Sequence, residues 1–88
     1  MTKVIHKWTL PSGPGIDVHK MPREHKFLAA RAWLKDIDMW FEVDDEHPQV
    51  DTLFQTVGTG SEVPEGHTYV TTYFEGPFVW HVYKRDNA

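Results

Sequence analysis

Short runs of alternating apolar and polar residues recur along this chain, and their period of two constrains its fold more than any other feature. Residues 3–10 place Val4, Trp8 and Leu10 on one side and two lysines on the other, and residues 52–57 alternate in the same way. A period of two is typical of a β-strand with one buried face. The pattern therefore predicts a chain built mainly from short strands.

Clusters of Gly, Pro and acidic residues separate these runs and predict turns. Residues 11–15 contain two prolines and two glycines, which cannot continue a strand ladder. We expect residues 16–19 to form a short strand that pairs back on the first strand, and residues 21–24 to form a connection. Residues 44–48 are expected to form a solvated acidic turn.

The segment 27–34 is ambiguous, because its three alanines favour a helix when it is considered alone. The segment is short, lacks a good N-cap and precedes a tight reversal at residues 35–38. Met39, Phe41 and Val43 then alternate with Trp40 and Glu42, which is typical of a strand. We predict a strand–turn–strand hairpin over 27–43, because tertiary context often overrides a weak helical propensity.

Two more strands are predicted at residues 68–74 and 78–84. The second is apolar on both faces, so we expect it to be central in its sheet. Residues 63–66 could hold one helical turn. Six or seven short strands joined by turns predict a compact antiparallel all-β fold, either a sandwich or a small barrel, with at most one short helical turn. We expect residues 1–88 to form a single domain.

Aromatic residues are abundant for a chain of this size. Trp, Phe and Tyr make up 14% of 88 residues, whereas so short a chain buries only a modest core. Trp40 lies between inward Met39 and Phe41, so its strand directs it to the polar face. Either Trp40 marks an interface, or a second sheet or loop covers it. We expect a homo-oligomer that buries aromatic faces such as the one bearing Trp40.

Charge and cysteine content exclude several classes of protein. The net charge of −4 argues against binding to duplex nucleic acid, and the chain has no Cys for disulfides or thiolate metal sites. No apolar run is long enough to span a bilayer, and residues 1–7 lack the apolar core of a signal peptide. We therefore expect a cytoplasmic protein that does not contact a membrane.

The glycine-rich loop Gly58-Thr59-Gly60-Ser61 is the first candidate binding site. It follows a predicted strand, but no Lys follows it and no long helix can start there, so it is not a Walker loop. One interpretation is a turn whose glycines adopt positive φ. The other is a small nest in which backbone N–H groups and the hydroxyls of Thr59 and Ser61 hold a phosphate or carboxylate.

Histidines are the second set of candidates, since six occur in this short chain. For His6 and His81 the ordinary interpretation is ring packing with one satisfied nitrogen. The alternative is that His81 or His67 contacts a ligand phosphate. We expect Tyr69, Tyr73 and Tyr83 to line the face that carries His81.

No metal site is expected from the sequence. Asp44-Asp45-Glu46-His47 has the residue types that ligate metals, but it has neither EF-hand spacing nor a third cluster.

The chain carries a recognisable order of short motifs. They are His6-Lys7-Trp8, Met21-Pro22, Met39 to Asp44, Val57 to Gly60 with Val63-Pro64, and Val79 to Tyr83. This order resembles a family of small uncharacterised proteins, a domain of unknown function found in bacteriophage and bacterial genomes. In the family pattern a His often follows the Gly-Thr-Gly, where this chain has Ser61. The resemblance implies an all-β domain of phage origin and implies no catalytic residue.

These observations lead us to expect a non-enzymatic binding protein that requires no cofactor. Under the first hypothesis it sequesters a small anionic ligand of nucleotide type, such as a host defence signal. Residues 58–61 would hold the phosphate, and Trp40, His67, Tyr69 or His81 would contribute further contacts, including stacking on the base.

Two alternatives remain open at this point. One is a protein–protein inhibitor or adaptor that docks an aromatic, acidic face on a host protein. The other is a weak hydrolase that uses a His and a carboxylate, although the chain has no Cys nucleophile and no G-x-S-x-G motif.

Overall fold

The computed structural model describes residues 2–86, which form seven strands and no helix. The strands are β1 (Lys3–Pro11), β2 (Gly15–Pro22), β3 (His25–Trp33), β4 (Asp36–Asp44), β5 (Gln49–Gly58), β6 (His67–Glu75) and β7 (Phe78–Arg85). The all-β prediction is confirmed, and residues 63–66 form no helical turn. Within residues 2–86 there is no helix long and apolar enough to cross a membrane.

Two antiparallel sheets pack face to face, which confirms the sandwich rather than the barrel. One sheet has the strand order β1-β4-β3 and the other has β2-β5-β7-β6. The prediction that residues 16–19 pair back on β1 is wrong, because β2 pairs with β5. The residues between β1 and β2 form a corner between the sheets, where Gly13 has φ +97° and donates its N–H to the Tyr73 hydroxyl at 2.9 Å.

The hairpin predicted over 27–43 is confirmed. Strands β3 and β4 are joined by the two-residue loop Leu34–Lys35. The reversal predicted at residues 35–38 is therefore misplaced, because Asp36 to Asp38 belong to β4 and Ile37 is buried. The helical alternative is wrong because residues 25–33 pair antiparallel with β4, and a β-bulge at Leu28 lets both Phe27 and Ala30 pack against the core. Alternate burial along β3 therefore outweighs the helical propensity of its alanines.

The core lies between the sheets and contains nine buried apolar side chains among the described residues. They are Leu10, Met21, Ile37, Met39, Phe41, Val43, Phe54, Tyr73 and Val82. The inward placement predicted for alternate residues of β4 is thus confirmed. Phe41 is central, because its ring contacts Trp8 and Phe27 of its own sheet and Phe54 of the other sheet.

Two predictions about connecting segments are wrong. Residues 21–24 are not simply a connection, since Met21 and Pro22 are the buried end of β2. Asp44 is not solvated, because it ends β4 with only 5% of its surface exposed. Its carboxylate accepts the Glu46 N–H at 3.0 Å, so it closes the turn that follows.

Strand β7 is central in its sheet, as predicted, and hydrogen-bonds to β5 on one side and β6 on the other. Because both neighbours are antiparallel to β7, β5 and β6 run parallel to each other. Gly58 at the end of β5 pairs with Trp80 near the start of β7, whereas His67 at the start of β6 pairs with Arg85 at the end of β7. The segment between Gly58 and His67 must therefore run back along the length of β7. We call residues 59–66 the crossover loop.

Candidate functional site

The glycine loop is explained first by the packing around it. A Cβ atom on Gly58 would lie 3.1 Å from the Trp80 ring, closer than ordinary van der Waals contact. Gly60 has φ +95° in a turn that the Ser61 N–H closes by donating to the Gly58 carbonyl at 3.1 Å. Both glycines are thus accounted for by local geometry, without a ligand.

Part of the proposed anion nest is already occupied by the protein's own hydrogen bonds. The Thr59 N–H donates to the Val79 carbonyl at 3.3 Å, and the Ser61 N–H is used in the turn. Among residues 2–86, no hydrogen-bond partner is seen for the Gly60 N–H or the Ser61 hydroxyl. The loop therefore offers an anion one amide and one hydroxyl, fewer donors than a preformed nest would provide.

His81 links the loop to the neighbouring strand. Its Nε2 lies 2.9 Å from the Thr59 hydroxyl and its Nδ1 lies 2.9 Å from the Thr72 hydroxyl. Thr72 in turn contacts the Tyr69 hydroxyl at 2.7 Å, and the Tyr69 ring meets Tyr83 edge-on at 5.7 Å. Because both imidazole nitrogens are bonded to hydroxyls, either neutral tautomer is satisfied.

The crossover loop and β7 enclose a shallow cleft of about 210 Å³. Its walls are Val57, Gly58, Thr59, Gly60, Ser61, Val63, His81 and Tyr83. His81 and Tyr83 project from the outer side of the sheet, since Val82 between them is buried in the core. The cleft is smaller than the roughly 300–1,000 Å³ of typical small-molecule sites.

The structure divides the eight predicted site residues into three places. Residues 58–61 and His81 line the cleft, and Tyr69 joins them through Thr72. His67 lies at the far end of β7, opposite Arg85, where its Nδ1–H donates to the Glu65 carbonyl at 2.7 Å. Trp40 lies in the other sheet.

Tyr73 differs from its predicted environment. Tyr73 does not line the His81 face, because it is buried on the inner side of β6. The Nε2 atom of His67 is shielded from solvent and has no hydrogen-bond partner among the described residues.

The family comparison covers the complete chain. The family model described as Domain of unknown function (DUF7352) matches residues 1–88. The chain belongs to this family. Comparisons with curated proteins and with solved structures found no match.

A second surface of this DUF7352 chain lies at the end of the β3–β4 hairpin. We call Arg31, Trp33, Leu34 and Trp40 the hairpin patch. The Arg31 guanidinium lies 5.4 Å from the centre of the Trp33 ring and 5.9 Å from that of Trp40, within cation–π range. Trp33 is 60% exposed and Leu34 is 84% exposed.

Sequence reasoning identified only Trp40 in the hairpin patch of this DUF7352 chain. The missed signal is the two-residue hairpin loop, where Gly, Asn or Asp is usual at positions of positive φ. Leu34 has φ +55° and is the one non-glycine residue with positive φ among those described. Because residues 27–34 were interpreted as one continuous segment, Leu34 was not recognised as a turn residue.

Among residues 2–86 of the DUF7352 chain, no group of three or more His, Asp or Glu side chains could hold a metal ion. His47 Nε2 lies 3.8 Å from both the Asp44 and Glu24 carboxylates, which is an ion-pair distance.

Proposed function

We propose that this DUF7352 chain is a non-enzymatic binding protein that docks on another protein through the hairpin patch. The observation that carries the proposal is Leu34, whose apolar side chain is 84% exposed at φ +55°. A residue with a Cβ atom in the left-handed region costs roughly 1–2 kcal/mol. With its side chain largely exposed in the described part of the chain, Leu34 gains little burial to offset that cost, which supports a contact outside the chain.

The composition of the hairpin patch supports a protein as the occupant. Trp and Arg are the residues most enriched among interface hot spots. Arg31 lies against both indole rings, which restricts all three side chains before binding and reduces the entropy lost in a complex.

The charges around the hairpin patch indicate the chemistry of the partner. Lys7 lies directly opposite Trp40 in the register of β1 and β4, and Lys35 follows Leu34 in the loop. Asp38 lies opposite Arg31 and Asp36 lies opposite Trp33, so the charges around the patch are of both signs. The indole rings and Leu34 therefore favour a partner that presents an apolar groove with a polar rim of mixed charge. The family resemblance suggests a phage-encoded protein, so we propose a host protein in the cytoplasm as that partner.

Site-specific cross-linking tests this proposal. A photoreactive amino acid replaces Leu34 in one variant and Lys20, which is exposed on the other sheet, in a control variant. We expect one discrete adduct with a host protein from position 34 in host lysate and no host-protein adduct from position 20. Unlabelled wild-type protein should compete for the adduct, whereas Trp33→Ala should not. Equal adducts from both positions, or full competition by Trp33→Ala, would contradict the proposal.

A small anionic ligand is a second candidate, which the cleft favours. Among residues 2–86, no partner is seen for the Gly60 N–H or the Ser61 hydroxyl, which could bind phosphate and lie beside Tyr83, whose ring could stack on a base. His81 could contact the phosphate only by giving up one of its two hydroxyl partners. We propose nucleotide-type ligands for this cleft, which a second chain could help to enclose.

Thermal shift with a nucleotide panel tests the second candidate, because a ligand that binds only the folded state raises Tm. Gly60→Val should abolish the shift. Gly66→Val, at φ +70° and also in open space, is the matched control and should preserve it. No shift with any nucleotide would leave the protein partner as the function.

A further inference from the structure

The outer face of the four-stranded sheet carries many more apolar side chains than an isolated chain needs. They are Ile16, Val18, Leu53, Val57, Tyr69, Phe74, Val79 and Tyr83, with Val63 of the crossover loop above them. Their direction follows from register, since the residues that alternate with them, such as Phe54, Tyr73 and Val82, are buried. Phe74 remains 69% exposed and Ile16 61% exposed.

This outer face carries few charged side chains, with Arg85 at one end of it. Lys20 and Asp51 face each other across β2 and β5, and their side chains form an ion pair at 2.7 Å. The two charges therefore compensate within one chain. A second copy placed on the same face would meet no uncompensated like charge from this pair.

The face is also large enough for a stable dimer. The Cα atoms extend over 42 × 28 × 16 Å, and the short dimension is that of two stacked sheets. Each broad face is thus on the order of 1,000 Å², compared with roughly 800 Å² per partner in a standard interface. Among the described residues, ten large apolar side chains are exposed, and five of them lie on this face: Ile16, Val18, Val63, Tyr69 and Phe74.

We propose that the outer face of the four-stranded sheet is the interface of a homodimer, in which the second copy uses the same face about a two-fold axis. Such an interface is self-complementary, which suits a largely apolar surface. This inference is independent of the hairpin patch, which lies on the other sheet and stays accessible in the dimer.

Pairing of edge strands is a less suitable route to a dimer. Edge strand β3 has a bulge at Leu28 and edge strand β6 has one between Tyr69 and Thr71. The edge strands β1 and β2 each end in proline. Bulges and prolines interrupt the row of backbone donors that an added strand needs, so a face-to-face arrangement fits better.

The native mass of two matched variants tests the interface. Ile16 and Ile5 lie on edge strands of different sheets and are both 61% exposed. Wild-type protein should have twice the 10.3 kDa mass of one chain by light scattering. Ile16→Lys should shift the protein to the monomer, whereas Ile5→Lys should leave the dimer intact. A monomeric wild-type protein, or a dimer that only Ile5→Lys dissociates, would overturn the proposal.

Spin labelling provides a readout that does not depend on disrupting the dimer. The chain has no Cys, so Gln55→Cys and Lys7→Cys each introduce one labelling site. Gln55 lies on the proposed interface side and Lys7 on the outer side of the other sheet. The distance between the two Gln55 labels of a dimer should be about 20 Å shorter than the distance between the two Lys7 labels. Each copy contributes about 10 Å to this difference, the spacing between its two sheets. The reverse order would place the contact on the three-stranded sheet and refute the model of the dimer.

Discussion

Leu34 is unfavourable for the stability of the folded chain, and for that reason it points to a role in binding. It has a left-handed backbone and a largely exposed apolar side chain. Sequence reasoning missed it because its cost depends on a loop length of two residues, which becomes known only when the ends of β3 and β4 are fixed.

Leu34→Asn should increase the free energy of unfolding by about 1 kcal/mol, because Asn tolerates the left-handed region better than other residues with a Cβ atom. The same substitution should weaken capture of the partner. Urea denaturation measures the first effect and competition for the cross-linked adduct measures the second. Val63→Asn, also at an exposed apolar position, is the control and should not stabilise the fold. A loss of stability in Leu34→Asn would contradict the assignment of strain to this position.

The two glycines of the loop should respond to substitution for different reasons. Gly58→Ala should cost roughly 1–3 kcal/mol because the new methyl group would crowd Trp80. Gly60→Ala should cost roughly 1–2 kcal/mol because of its positive φ, although the space around it is open.

A double-mutant cycle with Trp80→Leu separates these two causes. The smaller side chain should relieve the cost of Gly58→Ala and leave that of Gly60→Ala unchanged. Equal coupling of both glycines to Trp80 would show that crowding also determines the conformation at Gly60.

At the scale of elements, a His–Lys pair joins the two sheets. His25 of β3 donates Nδ1–H to the Pro22 carbonyl at 2.8 Å, so its Nε2 is free to accept from Lys84 of β7, also at 2.8 Å. Burial lowers the pKa of His25, and the nearby Lys84 ammonium lowers it further against the opposing effect of the Pro22 hydrogen bond. Burial also lowers the pKa of Lys84.

This pair predicts acid sensitivity. The pKa of His25 is lower in the folded protein than its ordinary value of 6.5, so the unfolded chain binds the proton more readily. The resulting stability is fully present above pH 6.5 and is lost as the pH falls from there through the folded pKa. In this pH window, the free energy of unfolding measured by urea denaturation should change less with pH in His25→Gln than in the wild-type protein. The control His6→Gln, at an exposed position of β1, should retain the wild-type pH dependence.

The positions of the strands along the sequence were more predictable than which strands pair with each other. All seven strands follow from alternation and turn residues, and the hairpin over 27–43 was correct because its inner positions share a period of two. The pairing of β2 was not predictable, because the same Gly–Pro corner can return a strand to its own sheet or pass it to another. The cleft was found in part, since residues 58–61 and His81 meet there, but the other sheet holds Trp40.

At the scale of the whole molecule, one aromatic cluster connects the two sheets. Phe41 lies 5.8 Å from Trp8, 5.4 Å from His25 and 6.1 Å from Phe54, measured between ring centres. Because the sheets share this cluster, we expect them to unfold in one cooperative transition.

Phe41→Ala should reduce the free energy of unfolding by about 3–5 kcal/mol, a large fraction of the stability of a small domain. Far-ultraviolet circular dichroism and Trp fluorescence should still give coincident urea transitions. Phe78→Ala, at a position 55% exposed, is the control and should cost less than about 1 kcal/mol. Separate transitions in Phe41→Ala would show that each sheet has stability of its own.

The position of β7 between two strands that precede it in the chain has a consequence for folding. Until β7 docks between them, β5 and β6 each present unpaired backbone groups along one edge. Chains in this interval are open to wrong pairing with one another. We therefore expect the yield of native protein on refolding from urea to fall as the protein concentration rises, because β5 and β6 of different chains can meet before β7 docks.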